Sequence, residues 1–192
     1  MPRTREQFIE MKDERRESIF KAALPLFSLN KKVTIDDICE KAKCSHGIVY
    51  HYFKNVDQIL EKLLKSSTYV ELHELLFDKL TGSSYEKIEE LLSIMLAVSD
   101  KNLEKICYLN LLLKSREKDS LFMLLSKLIK DGQRAHKIIG GNPEDLVESL
   151  FCLFRGIYLP FLLEKHPVVK VPSIETVMQL IRIPNSFSHL TL

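Results

Sequence analysis

Residues 39 to 54 hold a dense set of side chains able to do chemistry: Cys39, Lys41, Lys43, Cys44, Ser45, His46, Tyr50, His51, Tyr52 and Lys54. Three kinds of chemistry are open to them. Metal binding is suggested by the spacing Cys-x4-Cys-x-His-x4-His formed by Cys39, Cys44, His46 and His51. If the stretch is two short helices, however, Cys39 faces inward while His46 and His51 face outward, and the four cannot converge on one tetrahedron. Catalysis is the second option. It lacks a nucleophile-base pair, and Gly140-Gly141 has neither the glycine spacing nor the strand context of a nucleotide site. The third option is phosphate recognition. From Lys41 to Val56 there is no carboxylate, whereas Lys41, Lys43 and Lys54 are positive and the two histidines can be. An acid-free, basic and aromatic stretch suits a nucleic-acid backbone. The competing reading is a solvated helix pair within any helical bundle.

The elements that must position these groups are legible on either side of the stretch. Thr34 and Asp37 form a cap signature, with Thr34 accepting from the Asp37 amide and Asp37 reaching back to the Thr34 amide. Ile35, Ile38, Cys39 and Ala42 recur at i, i+3, i+4 and i+7, the pattern of one buried helix face. Ala42-Lys43-Cys44 reads as a turn, and Ser45 as the N-cap of a second helix. Ile48, Val49 and Phe53 form that helix's apolar stripe, leaving His46, Gly47, Tyr50 and His51 outward. Two short helices joined by a tight turn make a helix-turn-helix, whose second helix enters the DNA major groove.

At this point a family resemblance becomes specific. The run Ser45-His46-Gly47-Ile48-Val49-Tyr50-His51-Tyr52-Phe53-Lys54 resembles the recognition helix of the tetracycline-repressor (TetR) family, Ser-x-Gly-x-hydrophobic-Tyr-x-x-Phe-Lys. Ala22, Ala23, Leu26 and Phe27 resemble the end of that family's first helix. Thr34 to Ile38 resembles its Thr-x-x-Asp-Ile, and Asp57 to Leu60 the start of its fourth helix. The resemblance covers residues 15 to 60. It implies a DNA site of Thr34, Lys43, Ser45, His46, Gly47, Tyr50, His51 and Lys54, with Ser45, His46 and Gly47 at base edges and Thr34, Tyr50, His51 and Lys54 at phosphates. Lys43, in the turn, suits either. The family's lysine near the start of helix 4 corresponds to Val56 here, which implies fewer phosphate contacts and a shallower salt dependence. Pro25 and a short link from Phe27 to Thr34 are further departures from the family pattern.

Composition bounds the rest. The chain has 192 residues, 45% of them hydrophobic and 28% charged, which supports a substantial core. Residues 1 to 60 carry 11 Lys and Arg against 9 Asp and Glu, so the net +2 of the chain sits in the candidate DNA-binding part. The charged N-terminus lacks a signal peptide's apolar region. Leu150 to Leu163 is interrupted by Arg155, Gly156 and Pro160, so it reads as a buried helix and not a membrane span. Four cysteines without a Cys-x-x-Cys pair read as small buried hydrophobes of a cytoplasmic protein. Residues 1 to 13, with Arg3, Arg5 and Lys12, read as a frayed start or an extension of helix 1, the other reading being a basic arm. Helix 1 runs to about Leu29 with a kink or break at Pro25, and Asn30 ends it. A long fourth helix is expected from Val56 towards Leu80. Helices follow over 85–98, 102–114, 121–139, 144–165 and 174–183, with Pro184 as a stop and a poorly ordered tail to Leu192.

The expectation is an all-α chain of nine helices. A three-helix helix-turn-helix DNA-binding domain occupies residues 1–55, and a helical ligand-binding and dimerisation domain residues 56–192. The resemblance implies that the last two long helices, 144–165 and 173–183, pair across a homodimer, and that a small, largely apolar effector enters the second half and releases the protein from DNA. Polar groups set among apolar residues are the candidates for contacting it: Tyr108, Asn110, Arg155 and Tyr158. For Arg155 the structural alternative is a salt bridge to an acid such as Glu148 or Glu104. Met95, Met123 and Met178 read as core filler. The functional expectation is a ligand-responsive transcriptional regulator, most simply a repressor, that binds a palindromic operator in double-stranded DNA as a homodimer. It would have no enzymatic activity, metal, cofactor or membrane partner. The alternative is a helical dimeric interaction module that has lost DNA binding.

Overall fold

The computed structural model describes residues 5–29, 32–164 and 168–183. These contain ten α-helices, one short 3-10 turn and, as their one β-type pairing, an isolated bridge between Ile138 and Arg182. The all-α expectation holds, with one helix more than the periodicity suggested. Arg3, Asn30, Pro184 and the tail lie outside the described residues.

The chain divides into two compact units, 1–70 and 71–192. Unit 1 contains α1 (Arg5–Leu29), α2 (Ile35–Ala42), α3 (His46–Tyr52) and α4 (Val56–Leu64). α1 starts at Arg5, so the charged N-terminal stretch is an extension of the helix from that residue onward. It continues through Pro25 to Leu29. A proline there has no N–H to give the Lys21 carbonyl, and the helix tolerates this one lost bond. α1 packs against α2 and α4. Ile19, Phe20, Ala23, Leu24, Ile38, Val49, Phe53, Ile59 and Leu63 are buried within this unit. Phe20 and Phe53 meet with ring centroids 5.5 Å apart, and Lys62 lies over the Phe53 ring.

The expected long fourth helix is two helices. α4 ends at Leu64, and α5 runs from Ser67 to Phe77. Lys65 takes a non-helical conformation (φ −99, ψ 6), and the Ser66 amide donates to Leu63 in a tightened last turn. The apolar periodicity continues across this joint, which is why the sequence reads as one helix. Because α4 packs on α1, the division by packing falls later in the chain than residue 55. α5 then carries the chain from unit 1 into unit 2.

Unit 2 holds α6 (Ser84–Leu96), the 3-10 turn Asp100–Asn102, α7 (Leu103–Leu112), α8 (Leu121–Arg134), α9 (Pro143–Leu163) and α10 (Ile174–Gln179). α9 is central and packs against α7 and α8, while α6 packs against α8 and α10. By length and composition α9 would suffice to cross a membrane. Here its residues Val147, Leu150, Phe151, Phe154, Ile157, Tyr158 and Phe161 form the middle of the core instead. α8 stops at Arg134, short of the expected 139. Ile138 and Ile139 leave the helix, and the Ile139 amide donates to the Ile181 carbonyl at 2.9 Å, clasping the end of α10 to the α8–α9 connection. Gly132 permits this return, since a Cβ there would lie 2.6 Å from Ile138 Cγ1. Met95 and Met178 are buried as expected, whereas Met123 is exposed.

Candidate nucleic-acid interface

The cap expected at α2 is present in both directions. The Asp37 amide donates to Thr34 Oγ1 at 3.2 Å, and the Thr34 amide donates to Asp37 Oδ2 at 2.8 Å. The Thr34 hydroxyl, which donates to Asp37 Oδ2 at 2.7 Å, and then the Thr34 amide favour the charged carboxylate and lower the Asp37 pKa. The turn is closed by Lys43, which sits in the left-handed region at φ 50 and donates its amide to the Glu40 carbonyl, while the Cys44 amide reaches the Cys39 carbonyl at 3.0 Å. A left-handed lysine is uncommon, because its Cβ crowds the backbone. Here it aims a positive side chain outward from the turn, and the side chain is exposed.

Ser45 occupies the N-cap position of α3 in extended conformation, but its side chain makes no capping bond. Val49 and Phe53 are buried, which fixes the rotation of the helix about its axis. That rotation leaves Ser45, His46, Gly47, Tyr50 and His51 exposed, with Tyr50 at 57%. Tyr52 is half-buried, edge-on to His51 at a centroid distance of 5.0 Å. Thr34, Lys43 and Lys54 are exposed as well. The junction after α3 is bonded twice: Asn55 caps the Gln58 amide at 2.9 Å, and Gln58 Oε1 accepts from the Lys54 amide at 2.8 Å. All eight residues expected at DNA therefore lie on the surface of unit 1, on α3 and the turns and caps around it.

Two residues at this surface escaped the sequence reading. Asp36 on α2 accepts from His46 Nε2 and ties the two helices together at their exposed rim. Their ten-residue separation follows no helical period, so only the turn geometry reveals the pair. Arg15, on α1, lines a groove with Ser45, Gly47, Ile48, His51 and Tyr52. The cysteines take no part: Cys39 is buried, and burial together with the neighbouring Cys44 pushes its thiol pKa up, away from reactivity.

The polar groups proposed for an effector lie on α7 and α9, two helices that pack together. Their placement is uneven. Tyr158 is fully buried, and its hydroxyl donates to the Met95 carbonyl at 2.9 Å. Tyr108 is also fully buried, and burial pushes its phenol up to about 12. Asn110 and Arg155 are partly exposed. Arg155 Nη2 donates to the Leu113 carbonyl at 2.8 Å, and Arg116 Nη1 donates to the same oxygen at 2.9 Å. Two guanidinium groups thus stand at the C-terminal end of α7, where the helix dipole favours positive charge. Glu148, an expected partner of Arg155, pairs with Arg116, whose guanidinium also stacks over Phe122 at 4.5 Å.

Residues 19–63 match the family described as "Bacterial regulatory proteins, tetR family". No curated protein matches the chain. Solved structures share its fold along most of its length. NalD, the secondary repressor of the MexAB-OprM multidrug efflux pump in Pseudomonas aeruginosa, is 18% identical, with a TM-score of 0.52 over 89% of this chain and 98% of its own. The ketosteroid transcriptional regulator KstR2 of Mycobacterium tuberculosis is 14% identical, with a TM-score of 0.52 over 88% and 96%. SmeT in complex with triclosan is 16% identical, with a TM-score of 0.52 over 93% and 96%.

Proposed function

We propose that this chain, a tetR-family regulator by its N-terminal unit and by its fold, is a ligand-responsive repressor that binds a palindromic operator as a homodimer. The observation that carries the reading is the rotation of α3. Val49 and Phe53 are locked into the core, so Ser45, His46, Gly47, Tyr50 and His51 are turned outward together, with Asp36 of α2 as the carboxylate bonded to them at the His46 edge. Ser45, His46 and Gly47 reach base edges, while Thr34, Lys43, Tyr50, His51 and Lys54 hold the phosphates.

A single seven-residue helix reads only a few base pairs, so a two-fold dimer is needed to give an operator its length. Cys152, Gly156, Leu159 and Leu163 form an exposed stripe along α9, with Leu163 65% exposed, and this stripe supports pairing of two copies through that helix. The effector enters unit 2 beside α7 and α9, where Asn110 and Arg155 are its polar contacts and Tyr108 and Tyr158 support the wall. Its binding shifts the population between DNA-competent and incompetent arrangements. The chain acts in the cytoplasm and carries no enzymatic activity.

Selection of bound duplexes from a random pool tests the reading. Enrichment of a palindrome by the wild type, lost in a folded Tyr50→Ala/His51→Ala variant, is the expected result. Failure of a folded dimer to enrich any sequence, with no small molecule released on denaturation, would turn the assignment towards an interaction module without DNA binding.

A further inference from the structure

Two grooves in unit 1 share Arg15 and Tyr52. One, of about 410 Å³, places Arg15 beside Ser45, His51 and Tyr52 of the recognition helix. The other, of about 440 Å³, places Arg15 beside Lys12, Glu14 and Tyr52. Lys12 and Arg15 are one turn apart on α1, and both are exposed. Their neighbour Arg16 is paired with Asp13 at 3.2 Å, whereas Arg15 forms no ion pair among the described residues. We infer that Arg15, supported by Lys12, is a second phosphate-binding edge, so that each half-site extends past α3 onto α1.

The inference rests on the DNA-binding reading above and follows from dimensions. A helix with its side chains is roughly 10–12 Å across, and the major groove is about 12 Å wide. An inserted α3 therefore fills the groove, and the sugar-phosphate walls stand against whatever flanks it. On one flank that is α2 and its capped N-terminus. On the other it is the Arg15 groove, whose polar groups are a guanidinium, the uncapping hydroxyl of Ser45 and the exposed ring of His51. A planar guanidinium can grip a phosphate through two parallel N–H bonds, which a lysine cannot do. Val56 stands where the family resemblance leads one to expect a phosphate-binding lysine, and Arg15 supplies a cation from a different helix. Among the described residues Glu14 is the one carboxylate lining either groove, and it weakens the edge.

The test uses the operator selected by the full-length wild type and measures affinity against salt. Each phosphate contact contributes about 0.9 to the slope of log K on log salt, and a dimer carries two copies of Arg15. Arg15→Gln should lower the slope by about 2 and weaken binding roughly tenfold or more, by the same factor across operator variants. Arg15→Lys should restore the slope but only part of the affinity, which a purely structural role would not produce. Glu14→Gln should tighten binding. Wild-type slope and affinity in Arg15→Gln, with Tyr50→Ala still disabling the protein, would overturn the α1 edge and leave the DNA reading standing. If the folded wild type selects no operator and releases no small molecule on denaturation, both fall.

Discussion

Replacing Tyr158 by Phe removes one oxygen from a fully buried ring and tests whether that tyrosine is architecture or effector site. The hydroxyl donates to the Met95 carbonyl at 2.9 Å, and both residues are fully buried. Met95 lies in the last turn of α6, where carbonyls have no intrahelical donor. The Phe ring retains the aromatic contact with Phe154, at a centroid distance of 5.9 Å, so the change isolates one hydrogen bond. The net worth of such a bond is about 0.5–1.5 kcal/mol, but a carbonyl left dry in the core raises the cost to roughly 1–3 kcal/mol. At about 2–4 °C per kcal/mol for a chain of this size, the melting temperature should fall by roughly 2–12 °C. Circular dichroism melts of the unliganded protein would measure it, with operator binding of the folded variant unchanged. A melt within about 1 °C of wild type, together with loss of the effector response, would refute the structural role and return Tyr158 to the ligand site.

Other perturbations follow the same geometry. Tyr108 is pushed up to about 12 and Tyr158 lies well above the ordinary value of 10, both by burial. The unfolded chain therefore ionises these phenols first, and stability that is intact below pH 10 should be lost as pH rises towards 12, which denaturant titrations would show and Tyr158→Phe would lessen. Lys43→Gly relieves a left-handed side chain at φ 50 and should raise unit 1 stability by about 0.5–1 kcal/mol in urea melts, while operator affinity falls with the lost charge. Ser66 Oγ is buried without a partner among the described residues, so Ser66→Ala should stabilise the chain by about 1 kcal/mol in the same melts. If α9 forms the dimer face, a short bis-maleimide should link two chains through exposed Cys152, and Cys152→Ser should abolish the dimer band on a denaturing gel.

The legibility of the sequence varied with the range of the interaction. Among the features fixed within one helical turn, the Thr34–Asp37 box, the turn at Lys43 and the inward placement of Val49 and Phe53 were read correctly. These depend on local hydrogen bonds and on the helical period alone. The joint at Lys65–Ser66 was not legible, because Leu63, Leu64 and Val70 keep the apolar pattern running across it, and two non-helical residues leave no mark on periodicity. α8 was overextended for the converse reason. Ile138 and Ile139 fit the helix, but the Ile139 amide donates to the Ile181 carbonyl and the Lys137 carbonyl accepts from the Ile183 amide, partners more than forty positions away. The effector candidates show the same limit. A polar residue in an apolar helix reads alike whether it faces a ligand or, like Tyr158 and Arg155, satisfies a distant helix-end carbonyl.

Those two carbonyl contacts also bear on how unit 2 is able to respond to anything it binds. Tyr158 and Arg155 sit one turn apart on α9 and reach the ends of two different helices, α6 through Met95 and α7 through Leu113. Helix ends are where backbone groups lack internal partners, so side chains that satisfy them set where each helix stops. Arg155 is only half-buried, and it shares the Leu113 carbonyl with Arg116, so the end of α7 has two guanidinium donors. Tyr158 has no such stand-in among the described bonds. The asymmetry separates residues that the sequence grouped together: losing the Arg155 side chain leaves the end of α7 with a donor, whereas losing the Tyr158 hydroxyl leaves the Met95 carbonyl without one among the described bonds.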